Sequence, residues 1–175
     1  MKKAKIIGFI GAGNMATALI KGLVNSGTRK KSDVIASDID ASRLALIRKE
    51  TGIAVTSSNA ELIKKSQVIV IAVKPQTIGA ALDDLKKNLS TGKLVVSIAA
   101  GVKIKKIQKG IGNKAAVVRV MPNTPALVGK GMAALARGEG VSAEQFKTAK
   151  EIFSSSGKTI EVKEKMINSI TAISG

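Results

Sequence analysis

Ile6-Ile7-Gly8-Phe9-Ile10-Gly11-Ala12-Gly13-Asn14-Met15-Ala16 carries an apolar strand straight into a Gly11-x-Gly13-x-x-Ala16 turn and then into a helical pattern. A pyrophosphate needs main-chain N–H groups brought close to it. A strand that bends sharply into a helix N-terminus supplies them, together with the positive end of the helix dipole. In this reading Gly11 permits the tight turn, Gly13 removes the side chain that would block the phosphates, and Ala16 is small enough for the helix to pack on the strand. The glycines alone are a weak motif, but their context is the one it requires. Lys5–Ile10 reads as a buried strand, and Met15, Leu19, Gly22 and Leu23 recur at helical spacing. The segment predicts a dinucleotide site.

Working outward, a basic turn at Gly27–Ser32 leads to a second strand, Asp33–Asp38, and a short amphipathic helix carrying Arg43, Leu44, Ile47 and Arg48. Gly52 stops that helix, Ile53–Val55 forms a brief third strand, and Ser58 or Asn59 caps the next helix through Leu62 and Ile63. Val68–Val73 is wholly apolar and β-branched-rich, as expected of a central parallel strand covered on both faces, and Lys74-Pro75 ends it. Ile78, Leu82, Leu85 and Leu89 mark a helix, Leu94–Ile98 a fifth strand with the small exit Ala99-Ala100-Gly101, Ile104 and Ile107 a short helix, and Ala116–Val120 a sixth strand. This alternation predicts an α/β fold with a doubly wound, mainly parallel sheet of the Rossmann type. Met121–Pro125 then reads as a rigid turn, Met132–Ala136 and Thr159–Val162 as added strands, and Phe146, Ala149, Ile152 and Phe153 as the apolar face of a helix between them. Residues 1–162 are expected to form the dinucleotide-binding domain and 163–175 the start of a C-terminal helix. That helix has a stripe of Met166, Ile167, Ile170 and Ile173, which either packs on the sheet or is completed by more protein.

Of the 175 residues, 45% are apolar but only 2% aromatic, which suits an aliphatic α/β core better than a nucleic-acid stacking surface. Cysteine and histidine are both absent, excluding disulfides, thiolate metal sites and a His-based triad, and the acidic residues are too scattered to suggest a metal. A cytoplasmic protein is expected: no stretch reaches transmembrane length, and glycines break the apolar run after the basic start before it could act as a signal. The net charge of +17 favours anionic ligands. Its lysines are spread along the chain, clustering only at Arg29–Lys31 and Lys103–Lys109, so they read as a solvated surface rather than a nucleic-acid footprint.

The residues leave the choice of dinucleotide open. Asp38, at the end of the second strand, lies where an acid would accept hydrogen bonds from the adenosine ribose and repel a 2′-phosphate, which favours NAD. Ser37 is equally well placed to donate to a phosphate, and Arg43 is close enough to reach back to one, which favours NADP. Asp38 also reads as a helix cap.

Four segments together resemble one family: Gly8–Ala16, Ala72-Val73-Lys74-Pro75-Gln76, Ser97–Val102, and Met121-Pro122-Asn123-Thr124-Pro125-Ala126. They are similar, in order and over essentially the whole chain, to pyrroline-5-carboxylate reductase. The ending Ile170–Gly175 resembles that family's entry into its C-terminal helical domain. The resemblance implies reduction of 1-pyrroline-5-carboxylate to L-proline, the last step of proline biosynthesis, by hydride from NADPH or NADH. It implies that Ile10, Gly11, Ala12, Gly13, Asn14 and Met15 hold the pyrophosphate, that Ser37 approaches the adenosine ribose or its phosphate, and that Asn59 lies near that ribose. It further implies that Ala72, Val73, Lys74 and Pro75 line the cofactor and that Ile98, Ala99 and Ala100 pass beneath the nicotinamide.

Lys74 is the charged side chain expected at the crevice, for a substrate carboxylate or a cofactor phosphate. Asn123 and Thr124 can hydrogen-bond the nicotinamide amide or the substrate, although turn chemistry explains them equally well. No catalytic residue is assigned, because the family completes its imine pocket, and its homo-oligomer, with a helical domain that has no counterpart here. The chain is therefore expected to bind cofactor, to turn over poorly or not at all by itself, and to need no nucleic-acid or membrane partner. Another imine or β-hydroxyacid reductase would share the same lobe, and a non-catalytic dinucleotide-binding module remains a reading of a different class.

Overall fold

The computed structural model describes residues 5–174, with side chains through 172. The basic start at Met1–Ala4, the Ile173 side chain of the terminal stripe and Gly175 lie outside the described residues. The strands are β1 (Ile7–Ile10), β2 (Val34–Ser37), β3 (Ala54–Thr56), β4 (Val68–Ile71), β5 (Leu94–Ser97), β6 (Ala116–Pro122), β7 (Gly131–Arg137) and β8 (Gly157–Glu161). The helices are α1 (Asn14–Asn25), α2 (Ala41–Thr51), α3 (Asn59–Lys65), α4 (Ile78–Asn88), α5 (Ile104–Gly110), α6 (Ala143–Ser154) and α7 (Glu164–Ser174). They build one eight-stranded sheet in the order β3-β2-β1-β4-β5-β6-β7-β8. β1 to β6 are parallel, β7 runs antiparallel to β6, and β8 runs parallel to β7. This is the doubly wound order with two strands added after the sixth.

Strand alternation sorts the core into two layers. Phe9, Ala36, Val70, Val96, Val118 and Leu135 face α1, α2 and α6, whereas Ile35, Ile69, Ile71, Val95 and Val117 face α3, α4, α5 and Ile167 of α7. Both faces are covered, so β1, β2, β4 and β5 are buried throughout.

Most strand ends shift by a residue or two from expectation, among them β2, which stops at Ser37 rather than Asp38, and β8, which covers Gly157–Glu161 rather than Thr159–Val162; three of the shifts have a local cause. β1 begins at Ile7 rather than Lys5, because the Gln67 side chain takes the Ile6 N–H. β4 stops at Ile71: β1 turns away at Gly11, so beyond the Ala72 N–H bond to the Ile10 carbonyl there is no ladder to continue. The expected rigid turn at Met121–Pro125 is partly strand, since β6 runs on to Pro122 opposite Ala133 of β7. β5 has already ended opposite Arg119, which leaves Pro122 without a neighbour on that side, a position that proline tolerates. The turn itself is a 3-10 segment, Thr124–Val128, closed by Gly129. α7 packs on the sheet with Ile167 buried, Ile170 half-buried and Met166 exposed. No helix among the described residues is long and apolar enough to cross a membrane.

Candidate functional site

The parallel register places the last residues of four strands, Ser37, Ile10, Ile71 and Ser97, in one row. β1 and β4 are the neighbours at which the chain switches direction across the sheet, and this is where ligands bind in open α/β folds. The segments that leave these strands at Gly11, Asp38, Ala72 and Ile98 therefore start side by side at one end of the sheet.

The glycine loop leaves β1 there. Gly11 donates its N–H to the Ser37 carbonyl at 2.7 Å and has φ +100°, and a Cβ on it would lie 2.7 Å from the Ala72 carbonyl oxygen. Only glycine fits both the conformation and the space. Gly13 is the N-cap of α1 and offers no side chain to cap the helix, and the first turn contains no acidic residue. A Cβ on Gly13 would meet only Arg43, whose Nη1 is 3.7 Å away. The start of a twelve-residue helix thus has uncapped amides and space in front of them, as an anion requires. Ile10 and Ala12 are buried, Met15 packs against the core, and Asn14 is exposed on the rim.

Asp38 and Ser37 point to opposite sides of the strand end. One carboxylate oxygen of Asp38 accepts from Ala12 N–H at 2.7 Å and the other from Asp40 N–H at 3.0 Å, so the acid is fastened to the glycine loop. Ser37 is 0% exposed, and its hydroxyl donates to Asn59 Oδ1 at 2.7 Å beneath α3. The expectation that the Ser37 hydroxyl meets the ribose or donates to a phosphate is therefore corrected: alternation turns it into the α3 layer, and its proton is committed to Asn59. The cation that does stand beside the loop is Arg43, which is half exposed and paired through Nε with Asp40 Oδ2 at 3.5 Å. Asp40 caps α2, and its hydrogen bonds from the Ser42 hydroxyl and amide, with the Arg43 amide, hold its carboxyl below the ordinary aspartate range.

Across the crevice, Ala72 and Val73 are half-buried, whereas Lys74 and Pro75 are exposed. The Lys74 carbonyl accepts from the Thr77 amide and hydroxyl, which fixes the turn, and among the described residues no carboxylate pairs with its ammonium. Ile98 and Ala100 are half-buried around the buried Ala99, giving a low wall at the end of β5. Asn123 is occupied with structure: its Oδ1 accepts from Met132 N–H at 2.8 Å, bracing the 3-10 turn against β7, while Thr124 is exposed. Among the described residues no cluster of acids could hold a metal.

A groove of about 260 Å³ flanks the loop between α1 and α2, lined in part by Ala12, Asn14, Arg43 and Leu46. A larger hollow, about 310 Å³, lies around Lys93, Lys114 and Glu139 where β5 and β6 begin, away from the strand ends where this topology places ligands. Two residues with specific side-chain partners near the strand ends are not singled out as site candidates by the sequence. Asp84 of α4, which accepts from Asn59 Nδ2 at 2.9 Å, reads there as one more polar residue on a helix face. Arg119, buried in β6, is conspicuous as a charge inside an otherwise apolar run.

Residues 6–101 match the family model described as NADP oxidoreductase, coenzyme F420-dependent. Over 97% of its length the chain is 38% identical to a pyrroline-5-carboxylate reductase of Methanosarcina acetivorans, covering 63% of that protein. It is 41% identical, again over 97%, to one of Pseudomonas aeruginosa, covering 62% of it. The fold superposes on a pyrroline-5-carboxylate reductase from Coxiella burnetii with a TM-score of 0.94 at 34% identity, covering 99% of this chain and 64% of that one. It superposes on the Plasmodium falciparum pyrroline carboxylate reductase, solved with NADP bound, with a TM-score of 0.87 at 37% identity, covering 98% and 62%. The chain thus spans about three fifths of the curated relatives it matches, at 61–64% of their length. With the glycine loop, the sheet order and these matches in agreement, the resemblance read from the four segments is borne out, and the chain belongs to the NADP oxidoreductase, coenzyme F420-dependent family.

Proposed function

We propose that the chain binds NADH or NADPH at the β1/β4 crevice and is the cofactor-binding part of a pyrroline-5-carboxylate reductase, which reduces 1-pyrroline-5-carboxylate to L-proline. The observation that carries this reading is the glycine loop, where Gly11 admits no side chain and α1 begins without a cap. The residues fit the cofactor. The amides at Gly13–Met15 would hold a diphosphate, and the small side chains of Ala72, Ala99 and Ala100 would leave room for a flat ring between two strand ends. When bound, a reduced nicotinamide supplies the hydride that the imine carbon accepts.

The protein's own part is to hold the partners in place. Lys74, with no carboxylate partner among the described residues, offers a cation to a substrate carboxylate or a cofactor phosphate, and the aliphatic strand ends exclude water from one side. Asp38 and Arg43 pull the choice of dinucleotide in opposite directions. Asp38 retains lone pairs that would accept from ribose hydroxyls and would repel a 2′-phosphate, whereas Arg43, beside the glycine loop, would supply a cation to one.

Titration with NADH and NADPH side by side tests the reading, and nicotinamide fluorescence can be followed cleanly because the chain contains no Trp or Tyr. Both nucleotides are expected to bind. Arg43→Ala is expected to weaken NADPH roughly tenfold at low salt while leaving NADH little changed, in keeping with loss of one charge-assisted contact. Failure of both nucleotides to bind at millimolar concentration would overturn the assignment. Hydride transfer needs the substrate carbon held against the ring, and the full-length relatives devote a further third or more of their chains to regions outside this match. The 175 residues assayed alone should therefore oxidise thioproline slowly or not at all.

A further inference from the structure

A chain of hydrogen bonds runs from the end of β2 through α3 to α4. Ser37 Oγ donates to Asn59 Oδ1 at 2.7 Å, and Asn59 Nδ2 donates to Asp84 Oδ2 at 2.9 Å. Asp84 is half-buried, and among the described residues no ion pair reaches it, although the chain has 29 lysines and arginines against 12 acids. Its side-chain oxygen meets the amide of Asn59 instead.

An ionised carboxylate can only accept. Facing Asp84, Asn59 must therefore present its Nδ2, which leaves its Oδ1 toward Ser37 and obliges the Ser37 hydroxyl to donate. One acid on α4 thereby settles the orientation of an amide that would otherwise be free to flip. Asn59 is the first residue of α3 and half-buried beside the strand end that carries Asp38. Held this way, it keeps a second lone pair on Oδ1 and a second N–H on Nδ2 in fixed positions.

We infer that Asp84 is a positioning residue for the nucleotide: through Asn59 it fixes a carbonyl acceptor at the adenosine end of the crevice, where a ribose hydroxyl donates. This rests on the nucleotide-binding reading above and adds to it a residue that touches no ligand. The anion seat at Gly11–Met15 meets the relay only at the Ser37 main chain, whose carbonyl accepts from Gly11 N–H, and shares none of its side-chain bonds, so the effect of Asp84 belongs to the adenosine half of the ligand and is absent from the nicotinamide half.

The test is Asp84→Asn, measured in the 175-residue protein with NADH, ADP-ribose and nicotinamide mononucleotide. An asparagine at this position still bonds to Asn59 in either orientation, so the contact survives while the orientational choice is lost. NADH and ADP-ribose are expected to bind about three- to tenfold more weakly, the mononucleotide unchanged, and thermal unfolding little altered. In an Asn59→Ala background, Asp84→Asn should have no further effect. Asp84→Ser, which can donate as well as accept, should reproduce the loss if Asp84→Asn folds poorly. Unchanged affinity for ADP-ribose in both variants, equal weakening of the mononucleotide, or an undiminished effect in the Asn59→Ala background would overturn the inference. If the wild-type protein bound none of the three ligands, the nucleotide reading itself would fail first.

Discussion

The parallel half of the sheet, β1 to β6, and the appended β7–β8–α7 segment are held by different physics. In the first, strands buried on both faces pack aliphatic side chains into two continuous layers, and the crevice is a by-product of where those strands end. In the second, β7 still places Leu135 and Ala134 in those layers, but β8 is half-buried or exposed throughout, and α7 buries Ile167 alone among its described side chains. β7 and β8 approach so closely that a Cβ on Gly157, at φ +153°, would lie 2.0 Å from the Gly131 carbonyl oxygen. α7 is tied down by Arg119, 1% exposed, which donates to Asn168 Oδ1 at 2.8 Å and pairs with Glu164 Oε1 at 3.4 Å. The same Glu164 oxygen accepts from Ile104 N–H at 2.7 Å, joining α7 to the start of α5. A site built on many interchangeable contacts tolerates change around it. A segment hung on a few specific ones does not.

Arg119→Ala should therefore produce the largest effect, and on one side only. Losing it strips Glu164 and Asn168 of their buried partner, at about 3 kcal/mol, the low end for a broken buried pair, because the Glu164 side chain is 31% exposed and can turn to water. Denaturant unfolding should show that loss, with α7 amides exchanging first, while NADH affinity stays within about twofold at temperatures where the protein remains folded. Equal loss of nucleotide binding would mean that the halves are one cooperative unit and erase the distinction.

Gly11→Ala is the complementary break. It forces a side chain into a positive φ and against the Ala72 carbonyl, costing roughly 2 kcal/mol, less than Arg119→Ala, and it should lower nucleotide affinity at least tenfold, with α7 protection unchanged.

Acid supplies the smallest and most local perturbation. Hydrogen bonds from Ser42 hold Asp40 low, and those from Lys65 and Thr56 hold Glu61 low. A carboxyl depressed in the folded state stabilises above its unfolded value, 3.8 for Asp40 and 4.5 for Glu61, and that contribution fades as pH falls through the lower folded values. Amides at the start of α2 and α3 should lose protection below about pH 4, before those of α6, whose Ser142 and Gln145 capping box carries no charge. Simultaneous loss would show that these caps are not local.

The same contrast explains what could be read from the amino-acid order. Runs such as Val68–Ile71 and Leu94–Ser97 announce doubly covered strands by composition alone, and Gly11-x-Gly13 announces the loop because its chemistry is local. Side-chain direction at a strand end depends on a single residue of register. Ser37 and Asp38 are therefore equivalent candidates in the sequence, and only the alternation in the folded strand sends one beneath α3 and the other to the glycine loop. Asp84 lies 25 positions from Asn59, and nothing in the pattern of α4 marks it, because the contact arises from the packing of α3 on α4. The path of β6 through Pro122 depended likewise on β5 ending early, a fact about a neighbour.

The order of strands has one more result, concerning the company the molecule keeps. An open sheet has two outer rims with unsatisfied ladder groups. Here one rim is β3, three residues long, and the other is β8, whose Lys158 and Glu161 are exposed. A rim that short gives a stray extended peptide too few bonds to settle on, and a charged one repels an oily newcomer. The sheet thus discourages edge-to-edge polymerisation by its geometry, leaving the dense lysine coat to keep separate molecules apart.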